Sequence, residues 1–538
     1  MTLKAIQMST ERIEATLPQK RSAVLWCNST FAFGAVIVLT VVAAVWLRWT
    51  GLNSQSMWAD EGYTTWFSQF SPAKQWHLLP WETQGPVYHI LLHYWVILWG
   101  TSVVSFRALS ALFSTLSLAA FYLIARKMWP SRSFVILGLL LYSLSYFQIW
   151  YAKETRCYAL LAFLLLTSVY CELLTLEKAT VPRLCGFVLA LAATLYTHNM
   201  AMFYLPGFVV VWFAYPSQMG LRTRIRSAVV VGAMVFLLYL PWLPILIKQI
   251  RAVHGYYWAP KPSITDLLTS LCTFSGIDEW VLQGVHHYVP IPRVFGFWTW
   301  IPILLGILAL CLVGTWRNAS FEDRRKSVSL QVFTLMPILL VFLWSRISTS
   351  VYVNRNLIGA CALLPLVFCA PIAVQIGNKR KAFEIIVCVI LAGTVISLCL
   401  HREDKEDWRG VTVYLLKLPE RERLVVVLQP YCQILVHYYS TEQFNSYPKP
   451  DITGLVTQFT VAPTGPGILP DLAKADPLTI LSPAISSHRY KEIDVALQLE
   501  RLPVKVQAIP DYLKAHCSSV ESVEFGRIGV SRCFLQPN

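Results

Sequence analysis

Eleven apolar runs dominate this chain, each near the length an α-helix needs to cross the ~30 Å hydrocarbon core of a bilayer, about 17 to 25 residues. They run from Phe31 to Trp49, Val104 to Ala125, Phe134 to Trp150, Tyr158 to Leu176, Leu184 to Tyr196 and Met200 to Tyr215. The rest are Ala228 to Ile247, Phe295 to Val313, Leu330 to Trp344, Leu357 to Val374 and Phe383 to Leu400. With 55% hydrophobic residues, 14% charged residues and a mean hydropathy of +0.51, the composition agrees with a membrane protein and excludes a string of soluble domains. The expected fold is a polytopic α-helical membrane protein. A twelfth run, Pro86 to Trp99, opens on proline and is too short to span, so it reads as a helix lying in or dipping into the interface.

Charge sets the orientation, because short cytoplasmic loops collect Lys and Arg. Lys4, Arg12, Lys20 and Arg21 precede the first span. Then come Arg126, Lys127 and Arg132; Lys178 and Arg183; Arg222, Arg224 and Arg226; Arg317, Arg324, Arg325 and Lys326; and Lys379, Arg380 and Lys381. If Pro86 to Trp99 does not cross, every cluster falls on the side of the N-terminus, which is therefore expected in the cytoplasm. If it did cross, the rule would fail five times. The net charge of +15 thus records topology in the cell membrane, and no nucleic-acid partner is expected.

Three regions follow: a cytoplasmic segment over 1–28, a membrane domain over 29–400 with external loops 50–103 and 248–294, and an external domain over 401–538. The first span lacks a compact signal-peptide cleavage pattern and reads as retained. After Leu400 the chain becomes charged and Pro-rich, with β-type runs Arg423 to Leu428 and Leu478 to Leu481 and a helical stretch around Trp408 to Leu418, which predicts a small α/β domain. Cys432, Cys517 and Cys533 lie in it; an oxidising compartment admits a disulfide, but three thiols cannot all pair internally, so none is assigned. No Walker loop, GxGxxG or CxxC pair is present, which argues against a nucleotide-driven pump or a zinc module.

On this topology all eleven histidines lie outside or in outward-facing segments: His77, His89, His93, His198, His254, His286, His287, His401, His437, His488 and His516. The reactive groups share the bias. Asp60 and Glu61 follow span one, Arg107 opens span two, Lys153, Glu154 and Arg156 follow span three, His198 and Asn199 link spans five and six, and Asn354 and Arg355 open span ten. Charges at membrane depth line cavities or pair with each other, so helix ends that deliver both signs to one face imply a shared polar cavity there. Asp60 and Glu61, framed by Trp58 and Tyr63, suit general base chemistry or a cation, since adjacent carboxylates repel; an exposed acidic turn is the plainer account. In the stretch Tyr151 to Tyr158, Lys153 and Arg156 could hold a phosphate with Glu154 orienting them, or simply snorkel at the interface.

Asp60-Glu61 with Tyr63, Gln84-Gly85-Pro86-Val87-Tyr88 at the short helix, and Arg107 after Gly100 together resemble the GT-C membrane glycosyltransferases. The likeness is nearest to the bacterial branch of protein O-mannosyltransferases (glycosyltransferase family 39) and lipid A aminoarabinose transferase. The Tyr151 to Tyr158 segment resembles that branch's Tyr-x-x-Glu-x-Arg-x-Tyr, and Lys405 to Arg409 its Glu-Asp-Trp-Arg stretch. The resemblance covers spans one to five well and the rest loosely. It implies transfer of a sugar from a polyprenyl-phosphate donor to a hydroxyl of an envelope lipid, glycan or protein on the outer face, with inversion. Asp60 is then the base and Glu61 orients the site or binds a cation. Arg156, with Arg107, Lys153 and Arg355, would neutralise the leaving phosphate, and Tyr63, Glu154, Tyr158 and His198 would orient the site.

Two positions depart from the pattern: Gly85-Pro86 stands where the family often has two prolines, and Lys153 where it has Gln. Metal use varies within the superfamily. Asp60, Glu61, Glu154 and His198, with His77 and Glu82 beside them, are the candidates for a divalent cation, though their spacing matches no fixed ligand signature. Aromatic residues in the second external loop, Tyr256, Tyr257, Trp258 and Trp280 with Asp278 and Glu279, read as interfacial anchors before they read as a sugar cap. The cluster Asp404 to Arg409 reads as a pin between the tail and the membrane domain. A carrier or flippase for lipid-linked sugars is the competing function, but it calls for mid-membrane ionisable groups and paired halves, and neither is evident.

Overall fold

The computed structural model describes residues 31–254, 259–276, 297–316, 319–400, 405–418, 423–427, 432–443, 481–482, 485–486, 491–498 and 508–535. Over their described residues all eleven apolar runs are helical. Among the described residues six helices are long and apolar enough to cross a bilayer, and seven if the bent pair Arg132–Leu144 and Tyr146–Ala152 is one span. Three other runs lie in the shorter apolar helices Val181–Thr197, Asn199–Ala214 and Pro302–Trp316, and the last in the helix Gly377–Leu400. The protein is multi-pass, and the expected fold class holds. An apolar helix, Ile264–Phe274, also stands inside the expected external loop 248–294. The aromatic and acidic residues expected to anchor or cap there, 256–258 and 278–280, and His286, His287, His401 and His488, lie outside the described residues.

The elements that build the site are α1 (Phe31–Trp49), α2 (Ala59–Ser68), α3 (Pro72–Leu78), α4 (Pro86–Trp99), α5 (Val103–Met128), α6 (Arg132–Leu144), α7 (Tyr146–Ala152), α8 (Tyr158–Glu177) and α9 (Val181–Thr197). A segment that crosses lipid singly must be helical, since every backbone polar group must then find its partner within the segment. The segment Asn354–Val374 is apolar on every side and 89% of its apolar window is buried, so it forms the centre of the bundle. In α1 only 17% is buried, which puts that helix on the rim. Pro86 sits at N1 of α4, where its missing N–H costs nothing. At 14 residues α4 is ~21 Å long and cannot cross.

One break matters for the site. Helices α6 and α7 meet at 51° across Ser145. Such a break leaves carbonyls short of partners, and a kink needs an identifiable cause. Arg48, fully buried near the end of α1, donates to the carbonyls of Ser143 (2.9 Å) and Tyr142 (3.5 Å), to Ala44 O (3.1 Å) and to Ser114 Oγ (2.9 Å). The bend turns α7 so that the chain enters the loop 153–157 beside α2.

The two ends of the bundle differ in chemistry. At one end the basic loops tie together: Lys127 pairs with Glu177, Trp129 Nε1–H donates to Asp323 (2.8 Å), Arg325 donates to the carbonyls of Ala214 and Tyr215, and Arg380 donates to Ser133. The opposite end carries α2, the start of α4 and α5, the loop 153–157 and the start of Asn354–Val374.

The tail folds as a four-stranded sheet of order β1-β2-β4-β3, from β1 (Arg423–Val427), β2 (Glu492–Gln498), β3 (Ser519–Phe525) and β4 (Ile528–Phe534). β1 runs parallel to β2; β4 is antiparallel to both its neighbours. Of the two strands expected from sequence, the first is β1. Of the second only Leu481 is described, and it is helical. Strand side chains alternate between faces. Val426, Ile493, Val495 and Cys533 accordingly bury against Ile509 and Leu513 on one face. Val425, Val427, Ala496 and Val530 turn to the other, where the helices Trp408–Lys417 and Gln433–Gln443 join the core of the membrane domain. Cys517 and Cys533 form a disulfide, with Cα atoms 5.5 Å apart. That assigns two of the three tail thiols; Cys432 is buried and stands outside the disulfide.

Candidate active site

Helix α2 is short and begins with both carboxylates in its first turn, where the partial positive charge of a helix N-terminus favours anions. The two acids meet opposite fates. Glu61 is 0% exposed and Asp60 32%.

Glu61 is enclosed. Arg107, one turn into α5, donates from Nε to Oε1 (2.8 Å) and from Nη2 to Oε2 (2.7 Å), a bidentate pair. The Thr155 N–H donates to Oε1 (2.9 Å), and Lys405 Nζ lies 3.5 Å from Oε2. Burial by itself would raise the Glu61 carboxyl, but Arg107, Lys405 and the Thr155 amide outweigh it and hold it down to about 2. Arg107 has no N–H to spare: Nη1 donates to the carbonyls of Leu52 (2.7 Å) and Gln55 (2.9 Å), and Nη2 also to Ser56 O (3.0 Å). The guanidinium that the resemblance offered to a phosphate is thus spent on fixing the loop before α2.

Asp60 faces the open side. Its Oδ2 lies 3.4 Å from Arg355 Nη1 and 3.7 Å from Arg156 Nη2. Arg156 Nη1 donates to Thr64 Oγ1 (2.7 Å) and to Asp60 O (3.2 Å), while its Nε, buried, has no hydrogen-bond partner among the described residues. Tyr158 presents its ring to both cations, 5.9 Å from Arg156 and 5.8 Å from Arg355, and Arg355 also lies over Trp58 (5.3 Å). This constellation comes from three distant stretches: α2, the segment from the loop 153–157 into the start of α8, and the start of Asn354–Val374.

Glu154 pairs with Lys405 (3.1 Å) through Oε1; its Oε2 has no hydrogen-bond partner among the described residues. Burial raises its carboxyl and Glu61 adds to that, against Lys405. Lys153 lies close by and makes no ion pair among the described residues; burial lowers it, helped by Arg48 and Lys405. Tyr63 hydrogen-bonds Glu82, and burial raises both groups. Glu82 also feels Arg156 and Asp60, so a second carboxyl besides Asp60 acts on this arginine. His198, at the end of α9, accepts from the Met200 N–H at Nδ1 (3.1 Å), and its ring lies 5.9 Å from that of Tyr158. Burial, with Arg156 and Arg355, pushes it down to about 3, so it is neutral at physiological pH.

The carboxylates named as cation ligands are instead matched by cations: Glu61 by Arg107 and Lys405, Glu154 by Lys405, Asp60 by Arg156 and Arg355. Among the described residues no group of three or more His, Cys, Asp or Glu could hold a metal ion. His77 is exposed on α3. A divalent ion does not fit this donor set.

The residue that the sequence reading passed over is Lys405, folded into the charge cluster read as a pin. That cluster does tie the tail down. Glu406 Oε2 accepts from the Ala59 N–H (3.0 Å), and Arg409 donates to Asn53 Oδ1 (2.5 Å) and Asn53 O (3.2 Å). But Lys405 also reaches two acids beside the site. Its signal was its place beside the Glu-Asp-Trp-Arg stretch. Asn199 and Gln249 act at the other edge: Asn199 Nδ2 donates to Thr83 O (3.1 Å) and to Gln249 Oε1 (2.7 Å), and Gln249 Nε2 donates to Leu79 O (2.6 Å). Together they hold the turn that leads into α4.

No protein-family profile matches the chain, and no curated protein sequence matches it. Solved structures do. ArnT from Cupriavidus metallidurans in the apo state superposes with a TM-score of 0.54 at 11% identity, over 94% of this chain and 100% of that one. The same protein bound to undecaprenyl phosphate gives 0.52 at 12% identity, over 93% and 99%. The arabinofuranosyltransferase AftD from Mycobacteria gives 0.46 at 12% identity, over 93% of this chain and 41% of that one, too loose to argue from. The chain has the fold of ArnT, tail included.

Proposed function

Starting from that shared fold, we propose that this protein is an integral membrane glycosyltransferase that moves a sugar from a polyprenyl-phosphate donor to an acceptor hydroxyl outside the membrane. The observation that carries the reading is Asp60, the one acid of the α2 pair left accessible, held between two guanidiniums at the end of the bundle away from the basic loops. Undecaprenyl phosphate bound to ArnT supplies the lipid class by analogy of fold.

A hydroxyl is a weak nucleophile until a base takes its proton. Asp60 accepts that proton as the acceptor oxygen attacks the anomeric carbon from the face opposite the phosphate. The bond from the anomeric carbon to the phosphate oxygen breaks, the electron pair leaves with the phosphate, and the configuration inverts. Arg156 and Arg355 neutralise the leaving phosphate. Arg107 and Glu61 act as a positioning pair that fixes α2.

Outside means the periplasmic or extracellular side, with the N-terminus in the cytoplasm. The Cys517–Cys533 disulfide supports this, since such bonds persist in oxidising compartments. The carrier reading would need its ionisable groups at mid-membrane, whereas Asp60, Arg156 and Arg355 cluster at helix ends.

The test uses protein purified in lipid, a panel of polyprenyl-phosphate sugars and crude envelope acceptor, with free polyprenyl phosphate as the readout. Asp60→Asn should lower kcat by about 10²- to 10⁴-fold, and Arg355→Gln should weaken donor binding by about tenfold or more. An Asp60→Asn protein as active as wild type would remove the base. A donor that crossed the bilayer without turnover would establish the carrier.

A further inference from the structure

Glu61 and Glu154 are two buried carboxylates on separate segments, and one cation touches both. Lys405 Nζ lies 3.5 Å from Glu61 Oε2 and 3.1 Å from Glu154 Oε1, with its ammonium 4.9 Å from the centre of the Trp150 ring. It is only 6% exposed and arrives from beyond the last membrane helix. Arg107 cannot replace it, because every Arg107 N–H is engaged by Glu61 or by the carbonyls of Leu52, Gln55 and Ser56.

We propose that Lys405 is a positioning residue of the transfer reaction, a cation delivered by the tail that locks α2 to the loop 153–157 and so places the Asp60 carboxylate against Arg156 and Arg355. This rests on the reading of Asp60 as base.

The neighbours of Lys405 work on the same helix. Glu406 accepts from the N–H of Ala59, the residue before Asp60, and from Trp408 Nε1 (2.8 Å). The Arg409 N–H donates to Ser56 Oγ (3.1 Å), and the Met57 N–H donates to Tyr439 Oη (2.7 Å). Leu435 packs where Gly62 leaves room, for a Cβ at that position would come within 2.6 Å of it. The first turn of α2 is therefore held from the tail side by backbone contacts and from the membrane side by Arg107. Lys405 is the charge that joins the two. It also balances Glu154, whose facing charged groups are Glu61, Lys405, Arg355 and Arg107. Without Lys405, Glu154 becomes an unpaired buried carboxylate beside Glu61, and removal of one partner from a buried pair is far costlier than removal of both.

That asymmetry gives the test, on full-length protein in lipid. Lys405→Met should lower kcat by about 10²-fold, the scale of a misplaced reacting group, with donor KM changed by less than about threefold. Lys405→Arg should recover part of the rate. Adding Glu154→Gln to Lys405→Met should bring kcat back to within about tenfold of wild type, which a merely structural loss would not do. A double variant as slow as the single one overturns the proposal, as does wild-type kcat in Lys405→Met. Melting against pH gives a readout free of turnover. Relative to wild type, Lys405→Met should lose more stability at pH 8 than at pH 5, because Glu154 must ionise unpaired, and Glu154→Gln should erase that difference. No pH-dependent loss would sink the charge coupling. Lys405→Met with wild-type rate, alongside an inactive Asp60→Asn, removes only the role of Lys405. Asp60→Asn with wild-type rate removes the base, whatever Lys405 does.

Discussion

Two buried imidazoles set how this protein answers acid. His198 and His89 are both pushed down to about 3 by burial, with Arg156 nearby adding to it, against an ordinary value near 6.5. A histidine held neutral in the fold stabilises fully above its unfolded value and loses that contribution as pH falls toward the folded one. Glu61, held down to about 2, acts in the same direction below about 4.5. Melting temperature in lipid should therefore fall between pH 7 and pH 5, and His198→Asn, which keeps an acceptor for the Met200 N–H, should flatten the slope by about one proton. An unchanged slope would mean that His198 is charged in the fold. Sequence alone singled out the candidate residues, Asp60 and Arg156 by their motifs and Arg355 by its place at the head of a span. Which of the two adjacent acids stays accessible was not legible there, for that depends on Arg107 reaching one of them across a bundle.

At the scale of elements, the entry to α4 gives a packing reason for glycine at position 85. Gly85 packs against the end of α9: its N–H donates to Thr197 O (3.3 Å), and a Cβ there would lie 1.9 Å from the carbonyl oxygen of Tyr196. Proline or alanine at this position would force α4 off α9 and carry Glu82 and Gln84 with it. Gly85→Ala should lower the melting temperature and cut turnover by about tenfold or more, since a backbone atom cannot give way as a side chain end can. Normal melting and turnover would show that α9 yields instead. The helices themselves were plain in the sequence because lipid leaves a spanning segment no alternative. The 51° break at Ser145 was hidden inside one apolar run, for nothing in hydropathy marks a bend that Arg48 stabilises from another helix.

For the whole molecule, sidedness is the consequence to measure. In intact cells a membrane-impermeant maleimide should label Lys514→Cys, on the exposed face of the helix Ile509–His516, above the background of the native thiols. Lys379→Cys, in the basic group expected to face the cytoplasm, should react only after permeabilisation. The reverse pattern would invert the orientation. Sequence by itself determined that the chain is a multi-pass membrane protein, which run fails to cross, where the basic loops gather and that a small α/β unit follows. Each is a matter of local composition, and the bilayer reads composition segment by segment. Only the tertiary structure decided that the tail packs against the helix that carries Asp60 rather than standing apart, that Lys405 pairs with acids more than 240 residues before it, and that Cys517 takes Cys533 and leaves Cys432 outside the disulfide. Those are pairings between distant segments, and no local pattern carries the distance between two side chains that meet only when the bundle has closed.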